Sequence, residues 1–251
     1  MGGMALPDLT GKVAVITGAS RGIGAALAED YRARGMRLAL CSRSAPALPE
    51  SEDVLCQQLD VAQRDAVEAF AEAAVERFGR VDLWINNAGV LEPIVPVREL
   101  SAEALDRHLD VNVYGVLYGS QAYLRLAEKQ GGGVLLNISS GAAWGGYAGW
   151  GAYCMGKAAV DRLTETLALE ESERSGLRAY AVAPGIIDTD MQALIRAQDE
   201  SVFPMVDKFV GFKEEDAFNT GPFVAEHLLR VAFDPEAVPE ETVVRLPAEK
   251  G

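Results

Sequence analysis

Tyr153 and Lys157 stand four residues apart in the run Tyr153-Cys154-Met155-Gly156-Lys157. On a helix that spacing puts the phenol and the ammonium on one face. An ammonium beside a phenol favours the phenolate and lowers the phenol pKa. Such a phenol can give up and retake a proton near neutral pH, which is acid–base chemistry at an oxygen. Ser140 follows an apolar run, Val134 to Ile138, that reads as a buried strand entered through three glycines. Its hydroxyl therefore stands at a strand's carboxyl end, where it could hydrogen-bond the same substrate oxygen. A Tyr/Lys pair alone is most often an incidental feature of a helix surface. It gains weight from a second constellation near the start of the chain.

That constellation is Gly18-Ala19-Ser20-Arg21-Gly22-Ile23-Gly24, between the apolar run Lys12–Thr17 and a helical pattern from Ala25 to Arg34. Strand, glycine turn and helix in this order aim backbone N–H groups and a helix N-terminus at a pyrophosphate. Gly18 allows the tight turn, Gly22 a close approach to the ligand, and Gly24 close packing of helix on strand. The second strand, Arg37–Ser42, ends in Ser42-Arg43. A carboxylate there would pair with a ribose 2′-hydroxyl and repel a 2′-phosphate. Arg43, with Arg21 near the same spot, instead favours NADP(H), each charge-assisted hydrogen bond being worth about 1.5–3 kcal/mol. The competing reading leaves both arginines as solvated surface residues.

The elements that must hold these residues alternate. After the first two strands come a strand near Val54–Leu59 ending in Asp60-Val61, a helix from Ala62 to Phe78, and a strand Val81–Ile85. Asn86-Asn87-Ala88-Gly89 follows, then a long helix capped by Ser101 and running to about Lys129, with Glu103 in its first turn. The 133–138 strand, a helix from about Tyr153 to Ser172, and a strand Leu177–Val182 ending in Pro184-Gly185 continue the rhythm. The pattern predicts an α/β chain with a Rossmann-type, doubly wound parallel sheet and one domain over residues 1–251. Residues 187–219 break the alternation with Met191, Phe203, Met205, Phe209 and Phe212 among charges. So long a loop after a strand's carboxyl end reads as a substrate lid. Phe223–Phe233 reads as a helix and Glu241–Leu246 as a last strand.

Composition narrows the chemistry. A chain of 251 residues with 49% hydrophobic and 24% charged content suits a large enzyme domain. The formal net charge of −14 repels nucleic acid and anionic membranes. No apolar run approaches the roughly 18 residues of a membrane span, and no secretory pattern opens the chain. Three cysteines, Cys41, Cys56 and Cys154, lack paired spacing, so neither a disulfide framework nor a metal site is expected. Cys154 adjoins Tyr153 but points about 100° away around the helix. The expected location is cytoplasmic. Gly2-Gly3, ahead of Met4, is read as an appended segment outside the fold.

With these residues in hand, the chain resembles the short-chain dehydrogenase/reductase family. Six motifs stand in order between about Gly11 and Met191: Thr17-Gly-x-x-x-Gly22-x-Gly24, Asp60-Val61, Asn86-Asn87-Ala88-Gly89, Asn112, Ser140 with Tyr153-x-x-x-Lys157, and Pro184-Gly185. The resemblance implies that Asp60 and Val61 hold the adenine, and that Asn87, Ala88 and Gly89 support the cofactor and the central sheet. Ile187 and Thr189 would fix the nicotinamide carboxamide beside Pro184-Gly185. Ser140 would polarise the carbonyl and Tyr153 donate the proton. Lys157 would bind the ribose hydroxyls, and Asn112 would anchor a water in the proton relay. Pro184–Met191 and Leu91-Glu92-Pro93-Ile94 are similar to the sepiapterin and benzil reductase branch. Sepiapterin reductases hold the pterin with an aspartate near the C-terminus, whereas this chain has none after Asp234.

Trp144, Tyr147 and Trp150, with the lid phenylalanines, suggest a pocket for a small apolar or aromatic carbonyl substrate, one of the three serving only to pack the loop. The helix from Ser101 is apolar nearly all round its middle, through Val111, Val113, Tyr114, Val116, Leu117, Tyr118, Tyr123 and Leu124. Gly156, Ala158 and Ala159 would permit close helix approach. Both features fit a symmetric homodimer or homotetramer, which the family resemblance also implies. His108 and His227 read as surface residues without a role. The leading expectation is NADPH-dependent reduction of a ketone or α-diketone. The rivals are NADP-dependent alcohol oxidation and a non-catalytic NADP(H)-sensing protein.

Overall fold

Alternate residues of the first strand divide between two cores, which is what a strand buried on both faces requires. Ala14 and Ile16 of β1 (Val13–Thr17) face one core, and Val13 and Val15 the other. The computed structural model describes residues 6–250, so the Gly2-Gly3 segment lies outside the described residues. Around β1 stand β2 (Arg37–Ser42), β3 (Val54–Gln58), β4 (Leu83–Asn86), β5 (Gly133–Ile138), β6 (Leu177–Ala183) and β7 (Val243–Arg245). They form one sheet in the order β3-β2-β1-β4-β5-β6-β7, and every pairing is parallel. The order reverses between β1 and β4, and the carboxyl ends there open the crevice in which such sheets bind ligands.

Helices cover both faces. On one, α1 (Gly22–Ala33) and α8 (Gly221–Phe233) bury Leu27, Tyr31, Val224 and Leu228. On the other, α2 (Arg64–Phe78), α4 (Gly115–Gln130) and α5 (Gly151–Glu171) bury Phe70, Tyr123 and Leu167 around Trp84. No helix among the described residues is long and apolar enough to cross a membrane.

Two stretches differ from the sequence expectation. The long helix is not continuous: α3 (Ala102–Leu109), capped by Ser101 Oγ on the Ala104 N–H at 3.2 Å, passes through a π-helical turn at Asp110–Tyr114 before α4 begins. The wider turn places Asn112 inward, where its side chain bonds the backbone of Val90. Residues 187–219 are not a loop either. They contain α6 (Asp190–Arg196) and α7 (Val206–Glu214), because Ile195, Phe203, Val206 and Phe209 fold back on Leu91, Ile94, Trp150 and Tyr153 as a third apolar core. The segment spans the mouth at the carboxyl ends of the strands.

Candidate active site

One cavity of about 970 Å³ runs from the end of β2 to the start of α5. Its volume is at the upper end of the roughly 300–1,000 Å³ usual for ligand sites. Gly18, Ser20, Arg21, Gly22 and Ile23 line it after β1, Ser42 and Arg43 after β2, and Asp60 and Val61 after β3. Asn87, Ala88 and Gly89 follow β4, Ser140 follows β5, and Pro184, Gly185, Ile187 and Thr189 follow β6. Tyr153 and Lys157 enter from α5. Gly24 and Asn112 stand behind the wall, both buried.

The glycine turn is shaped by close approach. Gly18 has φ +68°, and a Cβ there would stand 2.8 Å from Ala88 Cα. A Cβ on Gly24 would meet the Gly18 carbonyl oxygen at 2.3 Å. Thr17 joins this turn to the β4 end. Its Oγ1 accepts the N–H groups of Asn87 and Ala88, each at 3.0 Å, while Asn87 Nδ2 donates to Thr17 O at 2.8 Å and Gly18 O at 3.2 Å. At the N-terminus of α1, Arg21 makes no side-chain cap and the first turn has no acid. Those N–H groups face the cavity without a side-chain acceptor, as a pyrophosphate site requires. The chain's own groups therefore fit a dinucleotide.

The two arginines differ. Arg21 is ion-paired with Asp190 at 3.1 Å across the opening, both side chains being largely exposed. Arg43 is exposed on the cavity rim and has no ion-pair partner among the described residues.

At the other end, Ser140 caps a short 3₁₀ turn (Gly141–Ala143), accepting the Ala142 N–H at 3.2 Å. Its own hydroxyl hydrogen is left for another partner. Lys157 Nζ donates to Ile138 O at 2.7 Å and stands 5.7 Å from the Tyr153 ring centroid. Burial pushes the Tyr153 phenol above its usual range, partly offset by hydrogen bonding with the Ser140 hydroxyl. Burial also brings Lys157 down to about 8, against the opposing pull of Asp161. This corrects the expected lowering of the phenol pKa by the lysine. The ammonium is spent on a backbone carbonyl, and desolvation dominates both groups.

His108 is a second correction. It is 1% exposed rather than on the surface. Its Nδ1 bonds Glu92 O at 2.8 Å, Asn112 Nδ2 lies 2.8 Å from its Nε2, and its ring meets the Tyr153 ring edge-on at 6.2 Å between centroids. Gly156 makes room for it, since a Cβ there would stand 3.3 Å from Nε2. Gly156 thus serves helix packing within the chain. Burial, with the Lys157 charge, holds the His108 pKa below its ordinary value. His227 is half-buried, its Nδ1 bonded to Phe223 O at 2.8 Å.

The substrate end is aromatic. Tyr147, Trp150, Met191, Phe209 and Phe212 line the cavity, with Trp150 stacked between Tyr147 at 5.0 Å and Phe203 at 4.8 Å. Trp144 does not line it. Its indole N–H donates to Asp161 and its ring lies under Arg245. Asp161 and Arg245 are site-region residues to which no motif pointed. Among the described residues no three His, Cys, Asp or Glu side chains cluster as metal ligands, and the three cysteines are unpaired.

A family model described as short chain dehydrogenase matches residues 12–200. The 3beta-hydroxysteroid dehydrogenase 1 of Eggerthella lenta is 36% identical, over 84% of this chain and 85% of its own length. The benzil reductase ((S)-benzoin forming) of Bacillus subtilis is 32% identical, over 86% and 90%. The crystal structure of a short chain dehydrogenase/reductase from Saccharomyces cerevisiae superposes with a TM-score of 0.84 at 28% identity, covering 93% of this chain and 95% of that one. The chain therefore belongs to the short-chain dehydrogenase family, oxidoreductases that interconvert carbonyl and alcohol groups with a nicotinamide cofactor.

Proposed function

We propose that the protein is a single-domain, NADPH-dependent reductase of ketone or α-diketone carbonyls with small apolar or aromatic bodies. The observation that carries this is one continuous cavity with the glycine turn and Arg43 at one end and Ser140, Tyr153 and Lys157 among aromatics at the other. The α1 N-terminus would hold the pyrophosphate, Asp60 and Val61 the adenine, and Ser42 and Arg43 the 2′-phosphate. Asn87, Ala88 and Gly89, with Pro184, Gly185, Ile187 and Thr189, would hold the nicotinamide half. When bound, the nicotinamide supplies a hydride to the carbonyl carbon.

Ser140, whose oxygen already accepts from Ala142, donates its hydroxyl hydrogen to the substrate oxygen as negative charge develops there. Tyr153 gives that oxygen a proton. Burial raises the phenol further above neutral pH, so Tyr153 stands protonated as the acid that a reduction needs. Lys157 holds the ribose hydroxyls. Asn112, fixed by Val90, anchors the water that returns the proton. Trp150, Phe209 and Phe212 exclude bulk water from the reacting oxygen.

The test is NADPH and NADH consumption over a panel of aromatic diketones, aliphatic ketones and pterins, with Tyr153→Phe beside the wild type. The variant should lose at least about a hundredfold in kcat, the scale of general acid catalysis, while binding NADPH normally. Retained turnover in the variant overturns the mechanism. Reduction with NADH alone overturns the cofactor assignment.

The outer faces of α5 and of α4 with the π turn before it carry Met155 and Tyr114, each 46% exposed, with half-buried Leu117 and Tyr118 alongside. These apolar faces support a symmetric homodimer or homotetramer. Three unpaired thiols fit a reducing, cytoplasmic location.

A further inference from the structure

Tyr153, Lys157 and Asp161 lie on one stripe of α5 at i, i+4 and i+8. Asp161 is a carboxylate only 5% exposed, and no step above uses it. Both of its oxygens are occupied by the segment that carries Ser140. Oδ1 accepts the Ser139 hydroxyl, and Oδ2 accepts the Trp144 indole N–H at 3.0 Å. Ser139 directly precedes Ser140, and Trp144 closes the 3₁₀ turn that Ser140 caps. Lys157, one turn earlier, holds Ile138 O at 2.7 Å. Helix α5 therefore grips the β5 end on both sides of Ser140.

We propose that Asp161 is a positioning residue with two tasks: it clamps Ser139 and Trp144 so that Ser140 faces Tyr153, and it is the counter-charge that keeps Lys157 an ammonium. The inference rests on the catalytic reading of Ser140, Tyr153 and Lys157. A buttress needs only hydrogen-bond acceptors, but the second task needs a charge. The groups around the pair are few. Asp161 feels Lys157 and Glu165 on its own helix, Ser139 from β5 and Trp144 from the turn, whose ring lies under Arg245 of β7. Lys157 faces Tyr153, and its charge reaches His108 on α3, which burial keeps neutral at neutral pH. Asp161 is thus the negative group whose charge opposes the desolvation of Lys157. Without it a buried amine loses its proton at lower pH.

The test is an NMR titration of the lysine side-chain Cε signals in the full-length, cofactor-free protein, with Lys157→Arg to identify the Lys157 signal. The midpoint should lie near 8 in the wild type. In Asp161→Asn it should fall by one unit or more, leaving about tenfold less ammonium relative to free amine at a given pH. Asp161→Glu, which keeps the charge, should stay near the wild-type midpoint. An unmoved midpoint in Asp161→Asn overturns the counter-charge. If Asp161→Asn does not fold, a midpoint in Asp161→Glu more than about one unit below the wild type overturns it instead.

Ser139→Ala tests the clamp. It should lower kcat at least about tenfold, with NADPH affinity and the Lys157 midpoint unchanged. A wild-type kcat in that variant overturns the clamp. A wild type that reduces no carbonyl would fail the functional reading alone, because the titration still decides the charge.

Discussion

Thr17→Val tests how the glycine turn is held to the rest of the site. Valine keeps the shape and the β preference of threonine but removes an oxygen that accepts two backbone N–H groups, those of Asn87 and Ala88, each at 3.0 Å. Thr17 is 2% exposed, and the two donors, on half-buried residues at the cavity wall, regain water only in part. An unsatisfied buried donor costs about 1–3 kcal/mol, which for two donors, after partial relaxation, gives about 2–4 kcal/mol. At about 2–4 °C per kcal/mol for a chain of this size, Tm should drop by about 5–15 °C. Thr17→Ser keeps the acceptor and should lose less than half as much. The assay is thermal unfolding without cofactor, followed by NADPH titration of each variant. Because Gly18 and Ala88 both line the cavity, Thr17→Val should also bind NADPH at least about tenfold more weakly. A valine variant with wild-type Tm and affinity would refute the claim that this hydroxyl fastens β1 to β4.

Arg43→Asp should move the ratio of kcat/KM for NADPH over NADH towards NADH by about tenfold to a hundredfold, the worth of one charge-assisted hydrogen bond. An unchanged ratio would show that Arg43 is only a solvated side chain. Light scattering at micromolar concentration should give a mass of twice or four times the 26.8 kDa chain, and a clean monomer would remove the case for the α4 and α5 faces as an interface.

The sheet and the cofactor turn were legible because their signals are local. Continuous apolar runs ended in glycines or in Asp60, Asn87 and Ser140, and all these ends meet at one crevice. The Tyr153/Lys157 pair was legible from its spacing. What was lost depended on contacts between distant segments. His108 looks like any polar helix residue until the π turn and Gly156 bring it inward. The helices of residues 187–219 are short, 7 and 9 residues, and their apolar positions are set by Trp150 and not by their own periodicity. Asp161 carried no signal, because an acid two turns after Lys157 is ordinary on a helix until the partners of both its oxygens are known. The electrostatic expectation failed for the same reason. Spacing reports which side chains share a face but not how dry that face is, and here dryness sets the sign for Tyr153.

That dryness has a cost that can be measured. Burial brings Lys157 from the usual 10.5 down to about 8, so between these limits the unfolded chain binds the extra proton. Stability must then rise with pH through that window and carry the full cost of the buried ammonium below it. The gap corresponds to about 3 kcal/mol at about 1.4 kcal/mol per unit. Lys157→Met removes the cost. Chemical denaturation of the cofactor-free protein should therefore find the variant more stable than the wild type at pH 7, with the difference shrinking towards pH 10.5. A gap that is constant with pH would mean that the folded amine titrates where the unfolded one does, so that burial does not disfavour its charge. A variant less stable than the wild type at pH 7, with no rise in wild-type stability between pH 8 and 10.5, would mean that the bond from Nζ to Ile138 O outweighs the desolvation of the charge.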